Sequence, residues 1–309
     1  MNYPWVKDAD VTGKKILVRV DLDVPSANNP RVDSVEKIIS WLKEKNVASI
    51  RAIGHRGEYP IVEDLRKEHP DVEWSDGLRD DPREKTNSDD FAKELAEGFG
   101  VYINEAFAVS HRNHCSVVAL PKAVRASGGQ TFLGLRFEEE INNLSKVFGN
   151  SGVKVLIIGG AKAVDKAAYA VELASKFDKV LVGGMLPDQI KDSNSSLPGN
   201  MLLAKLRDDG LDLDEETINL FQSSLLGAGV VVVAGPMGKF EDVASETGTK
   251  LILNRVVESG AFKLAGGGNT EDALEKFGLT NKFDWVSVGG GAMLEFLAKN
   301  TLPGIEAVL

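Results

Sequence analysis

The strongest constraint on the fold is the alternation of apolar, β-branched runs with amphipathic helical patterns along the whole chain. Runs this rich in Val, Ile and Leu are typical of strands buried on both faces, and helical crossovers make such sheets parallel. The predicted strands are residues 16–22, 48–53, 101–107, 153–160, 178–184, 229–235, 262–267 and 285–290. The predicted helices are residues 35–45, 89–99, 164–177, 215–227, 269–278 and 291–300. The sequence therefore predicts an α/β fold built on parallel sheets.

The chain length predicts two domains, because 309 residues exceed the size at which a single core usually stops growing. A charged helical pattern at residues 136–152 ends in Gly and Asn. We interpret it as a helix that joins an N-terminal lobe, residues 1–140, to a C-terminal lobe, residues 141–300. Residues 57–88 and 187–214 are rich in Asp, Asn, Pro and Gly, which predicts loops or short elements.

The charge balance excludes several broad function classes. The net charge of -10 disfavours general binding to nucleic acid or to a membrane surface, which needs a dominant positive field. Cys115 is the one cysteine, so neither an internal disulfide nor a cysteine-based metal site is expected.

The polar first residues do not form a signal peptide, and the apolar runs are too short to span a bilayer. We expect a cytoplasmic protein.

Glycine clusters follow the predicted strands of the second half, where ligands bind at the carboxyl edge of an open parallel sheet. Glycine lets a backbone approach a phosphate closely, and the following helix start offers free N–H groups. The sequence contains neither a GxxxxGK[ST] loop nor a GxGxxG motif after the first strand. The pattern therefore predicts an anionic ligand of the nucleotide type, bound without either of those two motifs. The clusters are residues 159–162, 183–184, 235–238, 266–270 and 289–291.

Cations accompany both halves of the chain. Lys162 and Lys166 lie four residues apart, which predicts one helix face above a glycine turn and suits a polyphosphate; two solvated helix lysines are the alternative. In the first half, Arg and His side chains cluster at predicted strand ends and loops, where Arg is suited to bidentate contact with phosphate or carboxylate. As a set they indicate a small multi-anionic substrate, whereas each arginine alone is explained equally well by surface ion pairs. The set is Arg19, His55, Arg56, Arg79, His111, Arg112 and His114.

Six motifs in a fixed order resemble those of the phosphoglycerate kinase family over nearly the whole chain. They begin with LVRVDLDVP at residues 17–25 and YINEAFAVSHRNHCS at residues 102–116. The others are GGAKAVDK, GPMGKFE, GGGNT and the stretch from residue 289 to residue 308. The resemblance implies two Rossmann-like parallel-sheet lobes joined by a hinge helix, with residues 301–309 returning to the N-terminal lobe. It further implies that the N-terminal lobe binds 3-phosphoglycerate or its bisphosphate, and the C-terminal lobe binds Mg²⁺ with ADP or ATP.

The resemblance also implies residue roles. Lys37, Lys162 and the Gly268 N–H would stabilise the transferring phosphoryl group, the main task in such catalysis. The substrate would be bound by Arg19, Asp21, Asp23, His55, Arg56, Arg79 and Arg112. Its phosphate would be held by Arg56, Arg79 and Arg112. The nucleotide would be bound by Gly160, Ala161, Lys162, Lys166, Gly184, Pro236, Glu241, Gly267, Gly268, Asn269 and Thr270.

Four matched positions depart from the family pattern. Lys37 and Asp23 stand in place of an arginine and an asparagine, and Ala234 in place of the asparagine before GPMG. Asn269 stands in place of the aspartate that serves the nucleotide-bound Mg²⁺, so we expect weaker metal binding through an uncharged amide. Asn269 and Thr270 are also good helix N-caps, which offers a purely structural reason for both.

Two further features differ from the family: the chain is shorter, and His55 and Arg56 are adjacent where the family spaces them apart. Together with the four departures, they leave three hypotheses open. The first is an active phosphoglycerate kinase of glycolysis. The second is a catalytically impaired relative that binds a nucleotide or a phosphorylated ligand without turnover. The third is a kinase for another acyl phosphate. A monomer is expected from the resemblance, with small-molecule substrates and no nucleic acid partner.

Overall fold

The computed structural model describes residues 2–24, 29–55, 60–75, 77–160, 164–193 and 197–309. The chain divides into two compact units: unit 1 comprises Met1–Asn142 and Thr301–Leu309, and unit 2 comprises Asn143–Asn300. Among the described helices, none combines the length and apolar character that crossing a bilayer requires.

Unit 1 contains a five-stranded parallel sheet. Its strands are β1 (Lys15–Arg19), β2 (Ser49–Ile53), β3 (Val72–Ser75), β4 (Val101–Asn104) and β5 (Gln130–Leu133). They lie in the order β3-β2-β1-β4-β5. The helices of this part of the chain are α1 (Pro30–Glu44), α2 (Pro60–Glu68), α3 (Pro82–Lys85), α4 (Asp89–Ala96), α5 (Ala119–Ala126) and α6 (Leu135–Gly149).

Unit 2 contains a six-stranded parallel sheet. Its strands are β6 (Val153–Ile158), β7 (Lys179–Val182), β8 (Met201–Leu203), β9 (Ala228–Ala234), β10 (Phe262–Gly266) and β11 (Trp285–Ser287). They lie in the order β11-β10-β9-β6-β7-β8. The helices are α7 (Val164–Leu173), α8 (Leu186–Ser193), α9 (Glu215–Ser224), α10 (Thr247–Glu258), α11 (Gly268–Lys276) and α12 (Gly290–Lys299).

The central strands explain why the sheets are parallel and covered on both faces. Val230 to Ala234 of β9 are all buried, so neighbouring side chains on opposite faces of the strand are equally removed from water. Full burial of one Val side chain contributes about 1.5 kcal/mol or more, which makes such a strand the centre of a core. The predicted α/β fold with parallel sheets in two lobes is confirmed.

All eight predicted strands are present, one to three residues shorter at one or both ends than predicted. The missed strands are β3 and β5, in which polar residues interrupt the apolar run, and β8, which has three residues. Two segments were predicted as loops or short elements. Residues 57–88 contain helix α2, and residues 187–214 contain most of helix α8. Helix α6 corresponds to the predicted joining helix, and the division between the units falls within it, after Asn142.

The last nine residues belong to unit 1 and contain the short helix α13 (Pro303–Glu306). The Arg125 guanidinium donates to the Ala307 carbonyl at 2.6 Å, and the Thr131 hydroxyl donates to the Val308 carbonyl at 3.0 Å. The carboxyl-terminal segment is therefore bonded to α5 and β5.

Candidate functional site

Glycine turns that pack backbone to backbone form the carboxyl edge of the unit 2 sheet. Gly184 has a φ of +60°, and a Cβ at this position would lie 2.4 Å from the Gly160 carbonyl oxygen. The Gly184 N–H donates to the Met237 carbonyl at 2.8 Å, and the Met185 N–H donates to the Gly160 carbonyl at 3.0 Å. These bonds tie together the turns that follow β6, β7 and β9, so only glycine fits at position 184.

Lys166 joins two neighbouring strand ends at this edge. Its ammonium group donates to the carbonyl oxygens of Gly159 and Ala234, both at 3.1 Å. Burial lowers the pKa of Lys166. The side chain is therefore not one of two solvated helix lysines, and it holds positive charge among the glycine turns. Its predicted contact with a nucleotide stays a prediction.

A cavity of about 520 Å³ opens at the same edge. Its lining includes five residues that the sequence predicted to bind the nucleotide: Gly160, Gly184, Pro236, Glu241 and Asn269. Apolar side chains from elsewhere in the chain complete the wall: Met185, Leu206 and Leu211. Leu206 and Leu211 come from the segment predicted as loops, so this shortened region still contributes to the cavity. An apolar wall beside convergent polar groups is typical of a small-molecule site.

Helix α11 begins at this edge with a glycine instead of the predicted cap. Gly267, with a φ of +102°, is the N-cap, so the predicted capping roles of Asn269 and Thr270 are wrong. The Thr270 hydroxyl is buried and donates to the Gly266 carbonyl at 2.9 Å, which anchors the first turn to β10. Gly268 and Asn269 are exposed. The short polar side chain at position 269 is therefore available to a ligand, whereas that of Thr270 is not.

The cavity offers oxygen donors for Mg²⁺, namely the Asn269 amide and the Glu241 carboxylate among its lining residues. Mg²⁺ usually binds one or two protein carboxylates together with substrate phosphates and water. The donor set thus fits a Mg²⁺ ion carried mainly by nucleotide phosphates. It does not resemble a cage made of protein ligands alone.

In unit 1, an arginine and two aspartates meet after β1. The Asn29 side chain accepts a hydrogen bond from the Arg31 N–H at 3.0 Å and so caps α1, with Pro30 in its first turn. Arg31 Nη1 lies 3.4 Å from the carboxylate Oδ2 of Asp21 and 3.5 Å from the Asp23 carbonyl oxygen. Asp21 and Asp23 lie together with Arg31, which the sequence reasoning missed, and the predicted contact of the two aspartates with substrate stays a prediction.

Lys37 lies apart from this group, on the exposed face of α1. Its side chain is 61% exposed and its ammonium lies 3.7 Å from a Glu139 carboxylate oxygen. Glu36 and Glu138 line the same shallow surface cavity. Three acidic neighbours would repel an anionic substrate, and the contact between Lys37 and the transferring phosphoryl group stays a prediction.

A second group in unit 1 contains His55, Arg79 and His114. The Arg79 N–H donates to the His55 carbonyl at 2.9 Å, and the rings of His55 and His114 stack with centroids 5.2 Å apart. The side chains of Arg79 and Arg112 are exposed beside this pair. Glu84 is completely buried against the two rings and was missed by the sequence reasoning, because its surroundings read as a charged surface loop.

Arg19 is completely buried, although the sequence predicted that it binds substrate. Its Nε donates to the Ser116 hydroxyl at 2.9 Å, and a second guanidinium nitrogen donates to the Val20 carbonyl. A buried arginine with these bonds is better suited to holding the segments at the carboxyl edge of the unit 1 sheet in place than to contacting a substrate. Three further predicted residues lie outside the described residues: Arg56, Ala161 and Lys162.

Two parallel sheets, each with polar or glycine-rich groups at its carboxyl edge, define a two-unit α/β protein with a candidate small-molecule site in unit 2. The model of the phosphoglycerate kinase family matches residues 33–202 and 191–300. The chain therefore belongs to the phosphoglycerate kinase family, a family of phosphotransferases.

Curated relatives and solved structures agree with this assignment. The phosphoglycerate kinase of Thermosipho africanus is 28% identical over 400 aligned positions that cover 100% of this chain and 98% of the relative. That of Solibacter usitatus is 27% identical over 394 positions, with full coverage of both chains. Because this chain has 309 residues, both alignments contain long gaps in it. The structures of phosphoglycerate kinase from Coxiella burnetii (TM-score 0.78, 22% identity, 99% of each chain) and Pyrococcus horikoshii (TM-score 0.77, 21% identity, 98% of each chain) share the fold.

Proposed function

We propose that this chain is a phosphoglycerate kinase, which transfers a phosphoryl group between 1,3-bisphosphoglycerate and ADP, or in reverse between ATP and 3-phosphoglycerate. The observation that carries the proposal is the unit 2 cavity, because five residues predicted to bind a nucleotide line it together. The names of the relatives that match the whole chain supply the substrates.

On the nucleotide side, the base packs against Met185, Leu206 and Leu211, and the phosphates approach the glycine turns. The half-buried Gly267 and the exposed Gly268 at the start of α11 suit a phosphate, because a helix start offers unpaired N–H groups and the positive end of its dipole. Lys166 adds a cation beside Gly160. Lys162 and the Gly268 N–H keep their proposed roles in stabilising the transferring group.

On the substrate side, the exposed guanidinium groups of Arg79 and Arg112 hold the substrate phosphate, with His55 between their chain segments. Phosphoryl transfer depends mainly on positioning and on neutralisation of charge, which such a set of cations performs. We assign the first-lobe cation that supports the transferring group to Arg31 and no longer to Lys37, because Arg31 is oriented by Asp21 and Asp23.

The assignment of Arg31 is tested by two matched variants. Arg31→Met should lower kcat by about a hundredfold, the usual cost of removing one group that stabilises transition-state charge. Lys37→Met, on the same helix and with the same change of charge, should alter kcat less than about twofold, as expected of an exposed residue outside the site. Steady-state kinetics with both substrates saturating measure this difference. The reverse ranking would contradict the assignment.

Mg²⁺ would be held by the nucleotide phosphates with the Asn269 amide and Glu241 as protein donors, and when bound it would neutralise phosphate charge. Asn269→Asp adds a carboxylate at the cavity and should tighten nucleotide binding severalfold in the presence of Mg²⁺ but not in its absence. Calorimetric titration with ADP under both conditions measures this effect. Equal affinities of the variant and the parent with Mg²⁺ would exclude a metal role for position 269.

We further propose that the enzyme is a monomer of the cytoplasm that serves glycolysis, and that bending at α6 brings the substrates together and excludes water. These statements are supported by the family and by the position of the division between the units within α6.

The direct test is 3-phosphoglycerate-dependent formation of ADP from Mg-ATP by the purified chain at high enzyme concentration. Turnover above background that requires 3-phosphoglycerate is the expected result. A second candidate function is a non-catalytic relative that binds a nucleotide, and the loss of the carboxylate at position 269 favours it. Nucleotide binding by folded protein without any turnover would establish this second function and refute the first.

A further inference from the structure

His55, Glu84 and His114 form a compact group of potential metal ligands in unit 1. The Nδ1 atoms of His55 and His114 lie 3.7 and 3.9 Å from the same carboxylate oxygen, Oε1 of Glu84. All three atoms lie within 4.8 Å of one another. The two rings stack nearly parallel, with an interplanar angle of 16°.

The two histidine nitrogens have an unusual lack of hydrogen-bond partners. Each Nδ1 is buried and makes no hydrogen bond to any described residue, and His55 as a whole is only 5% exposed. The distances to Glu84 are too long for hydrogen bonds. Buried polar atoms nearly always have a partner, so two unpartnered nitrogens aimed at one carboxylate indicate a ligand that bonds all three.

The carboxylate is also fixed in place. Glu84 Oε2 accepts a hydrogen bond from the Ser116 N–H at 2.9 Å, and Oε1 accepts one from the Ser116 hydroxyl at 2.6 Å. The same hydroxyl accepts a hydrogen bond from Arg19 at 2.9 Å. Supporting contacts of this kind orient ligands in metal sites. The charges of Arg19 and Arg112 oppose a nearby cation, so we expect weaker binding than in structural zinc sites.

We propose that His55, Glu84 and His114 bind a divalent transition-metal ion of the Zn²⁺ class. Two imidazole nitrogens favour such an ion over Mg²⁺, which prefers oxygen ligands. Three protein ligands leave one position of a tetrahedral ion open to water, as in zinc sites that bind a fourth ligand. Solvent reaches the group because the His114 side chain is 16% exposed.

The neighbouring cysteine is not a further ligand. Its thiol donates to the Ser88 carbonyl at 3.3 Å, and burial raises the pKa of Cys115 to about 12. The ion would connect the end of β2, helix α3 and the segment before α5, which are distant in sequence. Because the unfolded chain holds no such arrangement, the ion should raise the thermal stability of the protein.

The first test is titration of the full chain with Co²⁺, whose visible absorption reports tetrahedral nitrogen and oxygen ligation, followed by displacement with Zn²⁺. One equivalent should bind. His114→Gln should weaken binding by roughly a hundredfold or more, because glutamine carries no atom at the Nδ1 position. His69→Asn is the matched control, since it disrupts the other described group of ligands (Glu36, Glu68 and His69) and should leave binding unchanged.

A second measurement on the unaltered chain covers the case that a variant does not fold. X-ray absorption of the protein with one equivalent of Zn²⁺ should show two imidazole nitrogens at about 2.0 Å and a carboxylate oxygen. A zinc environment without imidazole, no binding by folded protein, or loss of binding in His69→Asn but not in His114→Gln would each overturn the proposal.

Discussion

Glu105 is a buried carboxyl group that should make the stability of unit 1 depend on pH. It directly follows β4, and one of its oxygens accepts hydrogen bonds from the Ser34 hydroxyl at 2.6 Å and the Arg136 N–H at 2.9 Å. The other oxygen is buried and has no hydrogen-bond partner among the described residues. Burial raises the pKa of Glu105 from 4.5 to about 8, against the opposing effect of these hydrogen bonds. The carboxyl group is therefore protonated at pH 7 in the folded protein.

The sign of the effect follows from proton counting. Between pH 4.5 and pH 8 the folded chain holds a proton on Glu105 that the unfolded chain has released, so rising pH favours unfolding. The slope reaches about 1.4 kcal/mol per pH unit, and the free energy of unfolding should therefore fall by about 2–3 kcal/mol between about pH 5 and pH 7 through this one group. Above the folded pKa the contribution becomes constant.

Glu105→Gln should remove this loss. Glutamine has the same shape, stays uncharged and keeps an oxygen that accepts from Ser34 and Arg136. Near pH 5 the variant and the parent should be about equally stable, and near pH 7 the variant should be more stable by about 2–3 kcal/mol. Glu97→Gln is the matched control, since it makes the same substitution at an exposed position.

Urea unfolding followed by tryptophan fluorescence at several pH values measures the difference. Three of the four tryptophans, Trp5, Trp41 and Trp74, belong to unit 1, so the signal reports mainly on the unit that contains Glu105. The same dependence on pH in Glu105→Gln and in the parent would refute the assignment of a buried, protonated carboxyl group. A gain in stability of Glu97→Gln equal to that of Glu105→Gln would refute burial as its cause.

Two further predictions concern the edge of the unit 2 sheet. Thr270→Val should lower the free energy of unfolding by about 1 kcal/mol in urea titrations through loss of the bond to the Gly266 carbonyl; nucleotide affinity should stay unchanged, and a large loss of affinity would restore the predicted phosphate contact. Gly184→Ala should destabilise unit 2 by more than about 1 kcal/mol and weaken ADP binding in calorimetry, because its Cβ meets the Gly160 carbonyl. Gly278→Ala, with a similar φ of +67° and open space around it, separates backbone strain from this contact and should keep ADP affinity.

The carboxyl edge of unit 2 was largely predictable from the sequence because its demands fall on the backbone. A turn such as the one at Gly184 excludes every side chain, and that requirement is visible in the sequence as a glycine. Five residues to which the family resemblance gave nucleotide-binding roles line one cavity. The start of α11 was predicted within one residue, but its cap was not, because Asn and Thr are usual caps and Gly267 took that position through its positive φ.

The carboxyl edge of unit 1 was less predictable because it is made of side chains from distant segments. The family resemblance assigned the cation of this lobe to Lys37, and the predicted start of α1 at residue 35 left Arg31 in a loop. The structure starts α1 at Pro30, with Asn29 as its cap. That cap and proline were visible in the sequence and would have moved the helix start. No comparable signal marks Glu84, whose burial depends on the packing of His55 and His114 against it.

The two departures from the family pattern in unit 2, Ala234 and Asn269, differ in the same way. At position 234 the observed contact is made by the backbone, whereas at position 269 the side chain faces the cavity. Ala234 is completely buried and its carbonyl accepts a hydrogen bond from Lys166, a bond that any side chain at this position would keep. Asn269 is exposed and lines the cavity, while Gly267 caps α11 and Thr270 anchors its first turn. Because these neighbours hold the helix start, asparagine or aspartate at position 269 should leave the fold unchanged. The choice between the two residues therefore acts on the charge offered to a nucleotide-bound metal, independently of folding.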